Sequence, residues 1–150
     1  MGAEELKKLV GGKRLTIESS LFILALENNQ EFPLAAELFR ILSKSKAEAY
    51  ASVLVIIELM NKTYEVGSLE RIPAQLDFIS GGGLIALVNV DRAIALKAAE
   101  IRAKYHLKTP DAIHLATALE QNCELFLTAD KDYNRAATSG LKIVVMPSNR

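Results

Sequence analysis

Apolar residues along the chain follow two rhythms. Five short runs have the length and make-up of β-strands: RLTI (14–17), EAYA (48–51), LIALVNV (84–90), ELFLT (124–128) and LKIVVM (141–146). Between them apolar residues recur every three or four positions, which predicts helices. A short helix runs from Ser20 to about Asn28, and Pro33 opens a second through PLAAELFRILSKS. Ser52 offers a cap to a long helix reaching about Val66, and 67–80 reads as a helix that Pro73 bends or splits. Asp91 caps a helix through Tyr105. Thr109 caps another, with Pro110 in its first turn, to about Asn122. A short helix follows at DKDYNR. The 84–90 run is continuously apolar, the mark of a strand covered on both faces. Gly81-Gly82-Gly83 precedes that strand instead of linking a strand to a helix, so it reads as a turn and not a phosphate loop. Strands alternating with helices predict an α/β fold, a mostly parallel sheet with helices on both faces. Residues 1–12 are polar, end in a Gly pair and read as a loose lead-in; 13–150 form a single domain.

Composition narrows the function. The chain has 150 residues, half of them apolar, enough for one core. No apolar run approaches the ~20 residues of a membrane-spanning helix, and no leader pattern is visible, so a cytoplasmic location is expected. Formal net charge is zero, which excludes nucleic-acid binding by a bulk basic surface; such a role needs a local patch or a metal. Cys123, the only cysteine, excludes an internal disulfide or a cysteine zinc cluster and is expected to be a buried, inert thiol.

Four carboxylates change the picture. In a parallel sheet, ligand sites lie beyond the carboxyl ends of the strands. Glu18 follows the first strand directly, Asp130 follows ELFLT after one residue, and Asp111 sits in the first turn of the Thr109-Pro110 helix. Glu58 is the only charge in ASVLVIIELM, where a lone acid is costly unless something uses it. Each has a plainer reading: a helix-dipole partner for Asp111, a turn residue for Asp130, a solvated stripe for Glu58, a strand end for Glu18. Together they are harder to dismiss. Two carboxylates at ~4 Å repel by about 4 kcal/mol at an effective dielectric of 20, so a cluster of four must take up protons or hold a cation. Oxygen ligands alone favour Mg²⁺ or Mn²⁺ over zinc.

Several segments carry a family resemblance across roughly 13–146. LKTPDAIHLATAL (107–119) is the most specific, flanked by VDRAIALKAAEIRAKY (90–105) and ELFLTADKDYNR (124–135). ASVLVIIELM and ESSLFILALE match in content and order. The chain resembles PIN-domain ribonucleases, specifically the VapC-type toxins of bacterial and archaeal toxin–antitoxin pairs. That resemblance implies a PIN-like three-layer α/β sandwich and a metal-dependent endoribonuclease. Its four acids would fall on Glu18, Glu58, Asp111 and Asp130, with Mg²⁺ or Mn²⁺ on Glu18, Asp111 and Asp130 and with Glu58 tuning the cluster. Ser20 and Thr128 would supply hydroxyls behind the ligands. RNA is the implied substrate, a small antitoxin protein the implied partner, and a homodimer through the second helix and the Glu58 helix the implied assembly. Asp132 reads as a solvated loop residue and His114 as a half-buried histidine on the helix flank. Lys108, Lys131 and Arg135 lie where RNA phosphates would pass. One departure matters: the family's opening acid is normally Asp, and Glu18 adds one C–C bond, about 1.5 Å of reach. The competing reading is a catalytically weakened PIN-fold module that acts by binding a protein partner or RNA. A phosphoacceptor receiver domain would want a second acid after the first strand, and a dinucleotide fold lacks its G-x-G-x-x-G.

Overall fold

A computed structural model describes residues 1–149. Five strands form one sheet in the order β3-β2-β1-β4-β5, with every neighbouring pair parallel. They are β1 (Arg14–Ile17), β2 (Glu48–Ser52), β3 (Ile85–Val88), β4 (Leu125–Thr128) and β5 (Lys142–Val145). Seven α-helices connect and flank them: α1 (Ala3–Val10), α2 (Ser19–Leu26), α3 (Pro33–Leu42), α4 (Leu54–Glu65), α5 (Ile72–Ile79), α6 (Arg92–Tyr105) and α7 (Thr109–Glu120). Short 3-10 turns occupy Leu69–Arg71, Gly81–Gly83 and Lys131–Ala136. The predicted α/β sandwich is therefore the observed one.

Period-two side-chain alternation separates the layers. Leu125 and Leu127 of β4 join one core cluster with Leu15 and Ile17 of β1 and with residues of α1 to α5. Phe126, between them in sequence, joins a second cluster with Ile94 and Ile101 of α6, Leu115 of α7 and Tyr133. β4 is thus buried on both sides along its whole length, which is why LFL reads as a continuous apolar run.

Four local expectations need correction. The lead-in is not loose: Ala3–Val10 is a helix whose Leu6 and Val10, one turn apart, are fully buried in the core and pack beside α3. The 84–90 run is not covered on both faces. Only 85–88 pair as a strand, at the sheet edge, where Ala86 is exposed and Ile85 alone is buried. Thr109 is the first helical residue of α7, and Lys108 takes the cap position in extended backbone without a side-chain bond. Ser52 ends β2, and Val53 occupies the cap position of α4, although the Ser52 hydroxyl still accepts the Leu54 N–H at 3.2 Å. Pro73 does mark a split, between the 3-10 turn and α5, and Asp91 caps α6 as expected, accepting from the Ile94 N–H at 2.9 Å. Among the described residues no helix is long and apolar enough to cross a membrane.

Candidate active site

In the order 3-2-1-4-5 the connections reverse direction between β1 and β4, and the carboxyl ends of those two strands open the site. Glu18 stands at the end of β1 and caps α2. Its backbone N–H continues the ladder to the Leu127 carbonyl at 2.9 Å, while its side chain folds back to accept the Ser20 N–H at 3.1 Å. Only 5% of Glu18 is exposed. Three hydroxyls complete its shell: Ser19 donates to Oε1 at 2.6 Å, Thr128 to Oε2 at 2.7 Å, and Ser20 also donates to Oε2. Thr128 and Ser20 reach back to the β4 end as well. The Thr128 Oγ1 accepts the Asp130 N–H at 3.0 Å, and Ser20 Oγ accepts the Ala129 N–H at 3.0 Å. Both predicted hydroxyls thus lie against Glu18.

Asp130 caps the Lys131–Ala136 turn, its Oδ1 accepting the Asp132 N–H at 2.8 Å. Asp111 is half-buried in the first turn of α7, and the Tyr133 hydroxyl donates to its Oδ1 at 3.4 Å. Burial, with the charges of Asp130 and Glu18 adding to it, raises the Asp111 carboxyl above the usual Asp range. Glu58 projects from α4 with a third of its side chain exposed. Burial works to raise its carboxyl, but hydrogen bonds from His114 and Ser19 outweigh that and hold it below the ordinary value. The fully buried Tyr133 phenol feels all four acids: burial first, then Glu18, Asp111, Glu58 and Asp130, push its ionisation far upward. Hydrogen bonds tie these segments together: Ser19 bridges the Glu18 and Glu58 carboxylates, and Thr128 bridges the Glu18 carboxylate and the Asp130 backbone.

Sequence reasoning passed over two participants, Ser19 and Tyr133, and set a third, His114, aside as a half-buried histidine. Ser19 Oγ lies 2.6 Å from Glu18 Oε1 and 2.5 Å from Glu58 Oε2, bridging two acids. Tyr133 was passed over inside DKDYNR. His114 is not half-buried but fully buried, with Nε2 at 2.7 Å from Glu58 Oε1. Its spacing from Asp111, three residues along one helix face, was the available signal. Glu18, Glu58 and His114 are also the trio whose ligand atoms already lie within 4.8 Å of one another; Asp111 and Asp130 are outside that trio, and Asp111 feels the charges of Asp130 and Glu18. Asp132 is exposed, 3.9 Å from Arg135, and Arg135 also reaches the His106 carbonyl at 3.4 Å. Lys108 and Lys131 are exposed. Cys123 is half-buried, 3.2 Å from Thr16 Oγ1, and burial raises its thiol.

The residues fit a divalent cation. Among the described residues no lysine or arginine pairs with any of the four acids. Ser19 has one hydrogen for two carboxylate oxygens, so the cluster is short of positive charge.

The architecture has solved counterparts. A toxin–antitoxin complex from Klebsiella pneumoniae contains a chain 23% identical, with a TM-score of 0.64 over 87% of this chain and 96% of that one. VapBC2 from Rickettsia felis, bound to a promoter DNA fragment, gives 14% identity and a TM-score of 0.68 over 88% and 98%. Mycobacterium tuberculosis VapC20, described as a Sarcin-Ricin loop cleaving toxin, gives 13% and 0.60 over 83% and 94%. At these identities the likeness concerns the fold. No curated protein matches the chain in sequence. The PIN domain profile matches residues 16–138, a span that runs from the end of β1 through β4 and holds all four acids. The chain belongs to the PIN domain family.

Proposed function

We propose that this chain is a metal-dependent endoribonuclease of the VapC kind, hydrolysing RNA phosphodiester bonds. The observation that carries the reading is the acid cluster at the carboxyl ends of β1 and β4: Ser19 bridges Glu18 to Glu58, Thr128 links Glu18 to the Asp130 backbone, Tyr133 reaches Asp111, and among the described residues no lysine or arginine pairs with any of the four. Glu18, Asp111 and Asp130 would hold Mg²⁺ or Mn²⁺. When bound, the ion supplies Lewis acidity, lowering the pKa of water and countering charge on the phosphate. The chain's own groups do the placing. Ser19, Ser20 and Thr128 fix the Glu18 carboxylate, the Asp132 N–H fixes Asp130, and the Tyr133 hydroxyl orients Asp111. Exposed Lys108 and Lys131 are the side chains we assign to RNA phosphates. RNA as substrate places the proposed activity in the cytoplasm.

The structural neighbours are toxin–antitoxin complexes, which supports a small antitoxin as partner. Its chemistry follows from the site: an apolar helix laid in a groove and a basic side chain directed at the carboxylates, competing with metal. A second copy of the chain is the occupant we assign to the apolar face of α4, where Ile57 and Tyr64 are both more than 60% exposed; sedimentation of the purified chain checks this.

One observation favours the alternative, a PIN module that binds without cutting. Glu18 spends its carboxylate on four donors, one of them the Ser20 N–H by which it caps its own helix. A labelled RNA panel with Mg²⁺ or Mn²⁺, against an EDTA control, separates the two. Metal-dependent cleavage supports the nuclease; RNA retention without cleavage supports the binding module.

A further inference from the structure

Below the carboxylates lies one imidazole that the proposed chemistry leaves without a role. His114 of α7 is completely buried; its Nε2 faces Glu58 Oε1 at 2.7 Å, and its Nδ1 has no hydrogen-bond partner among the described residues. A neutral imidazole carries its hydrogen on one nitrogen only. Placed on Nδ1, that hydrogen would be a buried donor with no acceptor, and the Nε2 lone pair would oppose the carboxylate's own. Placed on Nε2, it makes a charge-assisted bond to Glu58 and leaves only a bare lone pair behind. A hydrogen on each nitrogen would again bury an unpaired N–H. The surroundings select Nε2–H, and the Nε2 lone pair is then withheld from any cation.

Glu58 needs such a donor. It sits at the exposed flank of α4, opposite other acids that repel it, and its remaining contact, Ser19 Oγ, has a single hydrogen that also faces Glu18. His114 is the group whose hydrogen belongs to Glu58 alone. We propose that His114 is a positioning residue: as a hydrogen-bond donor and not a metal ligand, it holds Glu58 against the Glu18 carboxylate and ties α7 to α4. The inference rests on the reading that the carboxylates hold a divalent ion.

The test compares wild type with His114→Gln, whose amide nitrogen can stand in for Nε2, and with His114→Asn and His114→Leu, which cannot reach Glu58. Circular dichroism establishes folding, and paramagnetic resonance of free Mn²⁺ measures binding. RNA cleavage gives kcat and KM, and ¹⁵N spectra of wild type and Glu58→Gln report the imidazole. Loss of a group that orients metal ligands costs about 10–100-fold in affinity. His114→Leu and His114→Asn should therefore weaken Mn²⁺ binding about tenfold or more and lower kcat more than they raise KM. His114→Gln should stay within about threefold of wild type. The wild-type spectrum should show hydrogen on Nε2 with Nδ1 bare, and Glu58→Gln should move the Nε2 signal. Unchanged Mn²⁺ affinity in folded His114→Leu overturns the proposal, as does a His114→Gln as weak as His114→Leu, or hydrogen found on Nδ1. If His114→Leu does not fold, the Asn–Gln comparison and the wild-type spectrum decide. A wild type that binds no Mn²⁺ fails the nuclease reading itself, and the spectrum alone then decides whether His114 donates to Glu58.

Discussion

Replacing Thr128 by Val keeps the shape of the side chain and removes one oxygen with two duties. That oxygen donates to the buried Glu18 carboxylate at 2.7 Å and accepts the Asp130 N–H at 3.0 Å. A hydrogen bond to a charged group is worth about 1.5–3 kcal/mol and a neutral one about 0.5–1.5 kcal/mol. Glu18 keeps three other donors, and the added methyl returns up to about 0.8 kcal/mol. The expected net loss is about 2 kcal/mol, or a Tm lower by about 4–8 °C for a chain of this size. Urea unfolding in EDTA, followed by circular dichroism, measures the loss without metal. Thr128→Ser keeps the hydroxyl and should lose about 1 kcal/mol or less. A loss below about 0.5 kcal/mol in Thr128→Val would refute the reasoning, because the hydroxyl would then not be holding Glu18.

Further expectations follow from the same geometry. Burial and the charges of Asp130 and Glu18 raise the Asp111 carboxyl, so its stabilising contribution is full below its unfolded pKa and is lost as pH rises through the folded value. Metal-free Asp111→Asn should accordingly be more stable than wild type above about pH 4, with the difference vanishing below it, as urea midpoints across pH will show. Glu58 has the opposite sign: its carboxyl is held low, so its contribution is present above its unfolded pKa and lost as pH falls through the folded one; Glu58→Gln should remove that acid limb. Leu6→Ala, in a helix whose Leu6 is fully buried, should cost about 2–5 kcal/mol in urea; a smaller effect would return residues 1–12 to a loose lead-in. Glu18→Asp should draw the carboxylate back from Thr128 and Ser19 and slow cleavage about tenfold, whereas faster cleavage would favour the weakened-module reading.

The centre of the sheet was legible at β4, which is buried on both faces and leaves the apolar run LFL. The same signal misled at 84–90, where apolar residues continue past a short edge strand into an exposed turn. Helix α1 escaped notice because its apolar stripe is only Leu6, Leu9 and Val10 within a charged octet. Of the site, Glu18, Asp111 and Asp130 were visible through their places at strand and helix ends. Ser20 and Thr128 came only with the family resemblance. Ser19 and the Glu58 contact of His114 were not legible for a different reason: both depend on Glu58 reaching across from α4, 39 residues from Ser19 and 56 from His114 in sequence. Tyr133 drew no reading from the sequence; in the fold it packs on Phe126, with ring centroids 4.8 Å apart, and its hydroxyl meets Asp111.

The nuclease reading stands on Glu18, Asp111 and Asp130 holding a divalent ion on the strand-end face. The most direct measurement is an anomalous difference map from crystals of the chain soaked in Mn²⁺. The account predicts a peak about 2 Å from carboxylate oxygens of Glu18 and Asp111, with Asp130 facing it and His114 outside the coordination sphere. That peak should be absent from Asp111→Asn crystals treated alike. A peak ligated by His114 Nε2, or an empty cluster at saturating Mn²⁺, would contradict it.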